Sequence, residues 1–300
     1  MTKNEPKLQL INSVRSVSKK FYLILIVLFF SACTSHQMAK DGAPTVEDNS
    51  VDAAQLSAEA TLLRAFSQPP LAKLNAGDGS TLLVAANSGS LPKLQLLYNG
   101  SKPGPTITMD PGGSHQVNLL NRLRHLSVAD ITAFRPQVSG GNDTPAVREL
   151  ISKKSSITNL HTHGLHVSPQ GRADNVFLKL NSGKSNRYTY PLPTDHGPGT
   201  HWYHAHLHGS TGLQVQGGMS GALIVKAPPG QSLNPPNYRV TEKIIVPQTD
   251  ANDSVLDPNL KTFTVNGKLN PLVQISLGNV QRFRVVNAGS RNGDYKNVWV

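Results

Sequence analysis

From residue 82 onward, hydrophobic positions fall in short runs that turn residues separate, without the spacing of amphipathic helices. The runs "TLLVAAN", "KLQLLYNG", "HQVNLLNRL" and "SNRYTYPLP" are alternating or wholly apolar, and Asn-Gly, Pro-Gly and Gly-Gly pairs lie between such runs. Alternation at period two is typical of strands, and turn signals at this spacing are typical of β-sandwiches and barrels. The pattern therefore predicts an all-β protein.

Composition along the chain predicts its domain limits. The polar stretch 33–81 is predicted to be a tether, although residues 53–66 could form a short amphipathic helix. Residues 82–228 are predicted to form the first domain, and the Pro-rich stretch 229–238 a linker. Residues 136–156 are predicted to be a polar loop or an insertion before the next strand. We expect the second domain, 239–300, to be incomplete, because a β-sandwich usually needs about 100 residues.

The N-terminus has the features of an export signal. Five basic residues precede the apolar run "FYLILIVLFF" (21–30), which is too short to span a bilayer as a permanent helix. The following "FSAC" resembles the lipobox of bacterial lipoproteins, so residues 1–32 are predicted to be cleaved and Cys33 to receive a lipid. Thr34 then favours an outer-membrane lipoprotein facing the periplasm, or the cell surface. The alternatives are a plain secretory signal followed by a free Cys, or an uncleaved anchor.

Charge and cysteine content exclude several classes of function. The formal net charge is +11, and removal of residues 1–32, which carry five basic residues and one Glu, leaves +7. Long basic runs are missing and aromatics are few, so no nucleic-acid partner is expected. Cys33 is the only cysteine. Disulfides, thiolate catalysis and cysteine-based metal sites are therefore not expected in this chain.

Histidines form the strongest chemical signal. Eight of the 11 lie between His161 and His208, and they include two His-x-His pairs, His161 with His163 and His204 with His206. Residues i and i+2 of a strand project from the same face, so two neighbouring strands would bring these four imidazoles together. Imidazole ligands suit Cu, Zn, Ni or Fe rather than Ca or Mg. The pattern thus predicts a metal site.

The other histidines of this region fit the pattern less well. His166 and His201 are out of phase with the pairs, and Gly209 indicates that the strand is ending at His208. All three are predicted to be neighbours of the site or surface residues. Zinc hydrolases and cupin-type sites usually add a carboxylate ligand or base. Asp174 and Asp195 are the nearby Asp residues, and neither follows an HxH pair in a recognisable arrangement.

Several motifs resemble those of the multicopper oxidases, in particular the laccase-like group. "NLHTHGLHVSPQGRADNVF" (159–177) is similar to the first copper motif of the family and "GTHWYHAHLHGSTGLQVQGGMSGALIVK" (199–226) to the second. "LLYNGSKPGPTITMDPGG" (96–113) resembles the opening of the first cupredoxin domain, and residues 263–289 resemble the start of the second. The resemblance implies Greek-key, cupredoxin-like β-sandwich domains and a trinuclear copper cluster.

By that resemblance His161 would bind the type 2 copper, and His163, His204 and His206 the type 3 pair. The family oxidises a small-molecule or metal-ion substrate one electron at a time and reduces dioxygen to water. It uses a Cys thiolate for the type 1 copper, and Cys33 lies outside every copper motif. We therefore expect no type 1 site in this chain and half of the cluster ligands. Missing C-terminal domains or a partner chain would complete the cluster. The alternative is a non-catalytic copper-binding module or an inactive fragment.

Overall fold

The computed structural model describes residues 64–73, 79–90, 94–134, 144–236, 238–249, 263–269, 271–273 and 275–289. The predicted signal peptide, Cys33 and residues 34–63 of the predicted tether lie outside the described residues. No helix within the described ranges is long and apolar enough to cross a membrane.

The described residues are mostly strands, with three short helices, as the alternating pattern predicted. In chain order the elements are β1 (Arg64–Ala65), β2 (Thr81–Ser88), β3 (Gln95–Tyr98), β4 (Gly104–Met109), β5 (Ser114–Arg122), α1 (Val128–Phe134), α2 (Pro145–Lys154), β6 (His161–His163), β7 (Ser185–Pro191), β8 (Gly199–His204), α3 (Thr211–Gly217), β9 (Ser220–Val225), β10 (Val240–Ile245), β11 (Pro247–Thr249), β12 (Phe263–Val265), β13 (Pro271–Leu272) and β14 (Val280–Val285).

Two four-stranded sheets form the first sandwich. Sheet I has the strand order β3-β2-β5-β7, and sheet II has the order β4-β9-β8-β6. In sheet I, β2 is antiparallel to β3 and parallel to β5, and β5 is antiparallel to β7. In sheet II, β9 is parallel to β4 and antiparallel to β8, which is antiparallel to β6. Mixed pairing of this kind requires crossovers between the sheets, so distant parts of the sequence become neighbours.

A single apolar core lies between the two sheets. Leu83 and Leu119 of sheet I are fully buried in it together with Leu223 of sheet II. Tyr98 and Tyr203 cross the same interior with ring centroids 5.4 Å apart. The inward positions recur at every second residue of β2, β5 and β9, which is the period that the sequence pattern predicted.

The stretch 136–156 was predicted to be a polar loop or an insertion, and its described part contains a helix rather than a loop. Residues 145–154 form α2, whose first turn is capped by Thr144 and contains Pro145. The hydroxyl of Thr144 accepts a hydrogen bond from the backbone of Val147 at 3.3 Å. A side-chain cap followed by proline is a strong helix start. The polar composition concealed it because α2 buries only Ile151 and Ser152.

The described end of the predicted tether, residues 64–73, is hydrogen-bonded to the rest of the fold. β1 pairs in parallel with β13, and Leu71 forms a bridge to Thr106. The side chain of Gln68 donates to the carbonyl of Glu242 at 2.7 Å and accepts from the backbone of Ile244 at 2.9 Å. This part of the chain is therefore tied to the strands after the linker. The predicted domain limits themselves stay predictions.

The strands after the predicted linker are less regular than the sequence indicated. β10 pairs with β14 in parallel over six residues, and β11 pairs with β12 in an antiparallel ladder. The run "LVQISLG" (272–278) is typical of a strand, but among its described residues only Leu272, in β13, is extended. Glu242 of β10 pairs with Arg282 and Arg284 of β14 at 2.7 and 2.8 Å, which fastens the parallel pair at its centre.

We expect Tyr203→Phe to destabilise the first sandwich by about 1–2 kcal/mol, because the carbonyl of Pro105 would lose its buried hydrogen bond from the tyrosine hydroxyl. That bond is 2.6 Å long. Urea unfolding of both proteins measures the difference. Tyr98→Phe is the matched control, since the equally buried hydroxyl of Tyr98 has no hydrogen-bond partner among the described residues. Equal losses in the two variants would contradict the expectation.

Candidate metal centre

The centre begins with the pairing of β6 and β8. The register places His161 opposite His204 and His163 opposite Trp202. Side chains of directly paired residues share one face of a sheet, so these four lie together on sheet II. The alternate residues, Thr162 and Tyr203, are buried on the other side. One ladder of three residue pairs thus turns two sequence motifs into one site.

The imidazole rings of the two His-x-His pairs are packed against one another. The ring centroid of His161 lies 5.4 Å from that of His163, 5.1 Å from that of His204 and 5.0 Å from that of His206. One ring nitrogen from each of His161, His163 and His204 lies within 4.8 Å of the others, a spacing that can hold a metal ion. His206 lies beside this group of three. The structure therefore brings together the four residues that the sequence singled out, and their role as ligands stays a prediction.

His206 reaches the cluster differently from the way strand parity predicted. β8 ends at His204, so His206 is not part of a regular strand. Its backbone N–H donates to the side-chain oxygen of Asn159 at 2.8 Å, and the amide of Asn159 donates to the carbonyl of Val176 at 2.6 Å. Asn159 is fully buried and lies two residues before His161. It holds the loop after β8 beside the start of β6.

Asp174 is the residue that the sequence reasoning did not select. One of its carboxylate oxygens lies 2.8 Å from Nδ1 of His161, and the other accepts a hydrogen bond from the backbone of Thr162 at 2.7 Å. A carboxylate that accepts from Nδ1–H fixes the ring orientation and leaves Nε2 for a metal. The sequence gives no signal for this contact, because Asp174 follows His161 by 13 residues in an irregular loop and is part of no HxH arrangement.

The two ring nitrogens of His204 have different surroundings. Nδ1 lies 3.0 Å from the carbonyl oxygen of Ala205 and can donate to it. Nε2 is buried and has no hydrogen-bond partner among the described residues. A buried polar atom without a partner is costly. A metal ion bound by Nε2 would remove that cost, and an imidazole donor set suits copper. The residues present therefore fit the ion.

The electrostatics of the cluster favour the neutral forms of His163 and His204 beside one carboxylate. Burial, with smaller contributions from neighbouring histidines, lowers the pKa of His204 to about 4. Burial and then the nearby His161 lower the pKa of His163. Burial alone would raise the pKa of Asp174, but hydrogen bonds from His161 and from the backbone of Thr162 outweigh it and lower the pKa. Neutral histidine is the form that binds metals.

The histidines that were predicted to be neighbours of the site lie apart from it. His201 projects from the face of β8 opposite to His204, and its ring packs 5.5 Å from that of His196, which packs 5.0 Å from that of His166. His208 is exposed in the turn before α3. The ring contacts within the described ranges do not join any of these residues to the cluster. His196 was not singled out from the sequence, because no neighbouring histidine repeats its spacing.

The two glycines beside the pairs form tight turns. Gly164 has φ +94°, and a Cβ there would lie 2.8 Å from Nδ1 of His201. Gly209 has φ +91°, and a Cβ there would lie 2.9 Å from the side chain of Lys154. Both positions favour glycine by conformation and by space.

Known proteins share sequence features with this chain around the histidine cluster. A sequence model of the family described as multicopper oxidase matches residues 149–230, the stretch that contains all four histidines of the cluster. Over this stretch the chain is similar to the multicopper oxidases. The laccase of Bacillus stratosphericus is 26% identical over 226 residues, which are 67% of this chain and 42% of that laccase. The laccase of Bacillus subtilis is 23% identical over 64% of this chain and 41% of its own.

The fold is similar to that of solved multicopper oxidases. A laccase from Pediococcus acidilactici matches 76% of this chain with a TM-score of 0.52 and 20% identity, which supports cupredoxin-like domains. The match covers 46% of that protein, so the chain spans less than half the length of the relatives named here. The similarity indicates copper as the candidate metal.

We expect Asp174→Asn to weaken copper binding by roughly 10- to 100-fold, because outer hydrogen-bond partners of metal-binding histidines contribute at this level. Asn would no longer hold His161 with a full negative charge. Competition of the protein with a copper chelator measures the affinity. Asp195→Asn is the control, because Asp195 is exposed and bears the same change. Equal affinities in the two variants would show that Asp174 does not orient a ligand.

Stability of the metal-free chain is expected to depend on pH through His204. Between pH 6.5 and the folded-state pKa of about 4, the unfolded chain takes up a proton at this residue and the folded chain does not. The free energy of unfolding should therefore fall as the pH falls through this window, by up to about 3 kcal/mol from His204. Urea titrations at pH 7, 5.5 and 4 measure the slope.

The matched variants for this measurement are His204→Gln and His208→Gln. The first should flatten the dependence on pH, whereas the second should leave it as in the unmodified chain, because His208 is exposed. An unchanged slope in His204→Gln would refute the assignment of the slope to this imidazole.

Proposed function

We propose that this chain supplies one side of a trinuclear copper cluster in a copper-dependent oxidoreductase of the laccase-like group. In the complete enzyme, four one-electron oxidations of a small-molecule or metal-ion substrate would provide the electrons that reduce one dioxygen, with four protons, to two waters. The observation that carries the proposal is that ring nitrogens of His161, His163 and His204 converge, and that Nε2 of His204 is buried with no hydrogen-bond partner among the described residues.

The resemblance suggests which copper each histidine holds. His161 is assigned to the type 2 ion, and His163, His204 and His206 to the type 3 pair. The distances agree with this division in one respect, because His161 lies between the other three, within 5.0–5.4 Å of each ring. Bound copper would supply the redox chemistry by cycling between its two oxidation states.

The protein itself orients the imidazole rings of the cluster. Asp174 contacts Nδ1 of His161, which leaves Nε2 as the nitrogen for a metal, and it carries a negative charge next to the cluster. The carbonyl oxygen of Ala205 contacts Nδ1 of His204 in the same way. His163 and His206 are exposed, so the cluster is open on the side away from the sandwich core. Further ligands would approach from that side.

A second candidate is a copper-binding module without oxidase activity. The chain has one cysteine, Cys33, and it precedes the described residues, so a thiolate for electron entry is not part of this site. Copper held by four histidines would then serve storage or transfer. The two candidates share the same ligands and differ in whether further residues from the same or another chain complete the cluster.

We expect the purified chain to bind about one copper or more, since three histidines can hold one ion. His161→Gln and His204→Gln should each lower the copper content measured by elemental analysis. His208→Gln, the matched surface variant, should not. Full copper content in both cluster variants would overturn the proposal.

Oxygen uptake with a phenolic dye or Cu(I) as reductant separates the oxidase from the binding module. The copper-loaded chain alone is expected to take up no oxygen, because it contains half of the ligands and no type 1 site. Sustained uptake would refute the half-cluster assignment. Uptake that appears only when further domains of the enzyme are joined to the chain would favour the oxidase over the binding module.

A further inference from the structure

The histidines occupy only part of the outer face of sheet II, the face turned away from the sandwich core. On β8 this face carries Thr200, Trp202 and His204, and their partners on β9 are Ile224, Ala222 and Ser220. The strands after the predicted linker cover the remaining part. The candidate copper ligands thus share one sheet face with the strands β10 to β14, called here the second group of strands.

Contacts from the second group of strands reach all three of these β8–β9 pairs. Arg284 of β14, itself paired with Glu242, donates to the hydroxyl of Thr200 at 3.0 Å. Gln248 of β11 donates to the hydroxyl of Ser220 at 2.8 Å, and both side chains are buried. Polar bonds therefore fix the second group of strands at both ends of the contact.

An apolar cluster lies between these two bonds. Ala222 of β9 is buried in it with three residues from the second group of strands, and Trp202 packs against the cluster together with Ile244. The three residues are Val246, Val286 and Ala288. One edge of the Trp202 indole thus belongs to the packing between the strand groups.

The flat faces of Trp202 belong to the candidate metal centre. The indole stacks on the ring of His204 with centroids 4.2 Å apart and an interplanar angle of 25°. It also stacks on the ring of His163 at 5.1 Å and 28°. Apart from histidines, Trp202 is the only aromatic side chain among the described residues whose ring contacts His163 or His204. A shift of the indole would therefore turn two candidate ligands at once.

We propose that Trp202 is a positioning residue through which the packing of Val246, Val286 and Ala288 sets the geometry, and hence the copper affinity, of the histidine cluster. The proposal rests on the proposed function, because it takes His163 and His204 as copper ligands. The aromatic plane is the property that matters, since near-parallel stacking restrains the tilt of an imidazole in a way that a branched apolar side chain does not. Val286 acts on the ligands only by way of the indole.

The test uses the full chain with Trp299→Phe, so that Trp202 is the only tryptophan. Four changes are made in it: Trp202→Phe, Trp202→Leu, Val286→Ala and the double change Trp202→Leu with Val286→Ala. Val117→Ala is the matched control, because Val117 is also buried but belongs to the core between the two sheets. Aqueous Cu(II) is titrated against a competing chelator, and its electron paramagnetic resonance spectrum is recorded.

Trp202→Leu should weaken Cu(II) binding by about tenfold or more, within the range for residues that orient metal ligands. It should also change the Cu(II) spectrum, which a loss of stability alone would not do. Trp202→Phe should keep most of the Cu(II) affinity and a Cu(II) spectrum close to that of the chain with Trp202. Val286→Ala should weaken binding by a few-fold, whereas Val117→Ala should leave affinity unchanged although it also lowers the melting temperature. In the Trp202→Leu background, Val286→Ala should have no further effect, because coupled residues are non-additive.

Two results would overturn the proposal. One is unmodified affinity and an unmodified spectrum in Trp202→Leu. The other is an equal loss from Val286→Ala with and without Trp202, which would show that the second group of strands acts by another route. A different result would count against the proposed function: His161→Gln and His204→Gln would bind Cu(II) as tightly as the unmodified chain. Even then, the metal-free emission of Trp202 should move to longer wavelength in Val286→Ala and not in Val117→Ala. The absence of that shift counts against the packing contact itself.

Discussion

The pairing of β6 with β8 is the constraint on which the rest of the site depends. Three residue pairs decide which side chains face outward, and a shift of one residue would send His161 and His163 into the sandwich and Thr162 out of it. The register is protected by what lies behind it. Tyr203 fills the core and bonds to Pro105, so β8 cannot slip without exposing a buried ring.

The same sheet therefore performs two tasks on its two faces. Its inner face is apolar and closes the core against sheet I, while its outer face carries imidazoles, one indole and small side chains. Rigid packing on the inner side gives the outer side fixed positions, which is what a metal centre requires. The irregular loop that contains Asp174 adds the charge that the strands do not supply.

Periodicity and motif spacing were sufficient to predict the all-β class, most strands before the linker and the four histidines that converge. They failed where the decisive contact is distant in sequence or lies outside regular structure. Strand parity separated His201 from the two pairs, and its ring packs against His196 instead. Parity did not show that β8 ends before His206, which Asn159 holds. The capped helix α2 was missed because its surface is mostly polar. Asp174 could not be selected, because only the folded loop brings it to His161.

The place of β6 in the sheet order has a consequence for how long the centre persists. β6 has three residues and lies at the end of sheet II, so β8 is its only neighbour among the described strands. Short edge strands open locally at a far lower free energy than the central strands of a domain. Each such opening would carry His161 and His163 away from His204 while the sandwich stays folded. The lifetime of the assembled histidine cluster is therefore that of a short edge strand, and a metal ion held there could exchange without global unfolding.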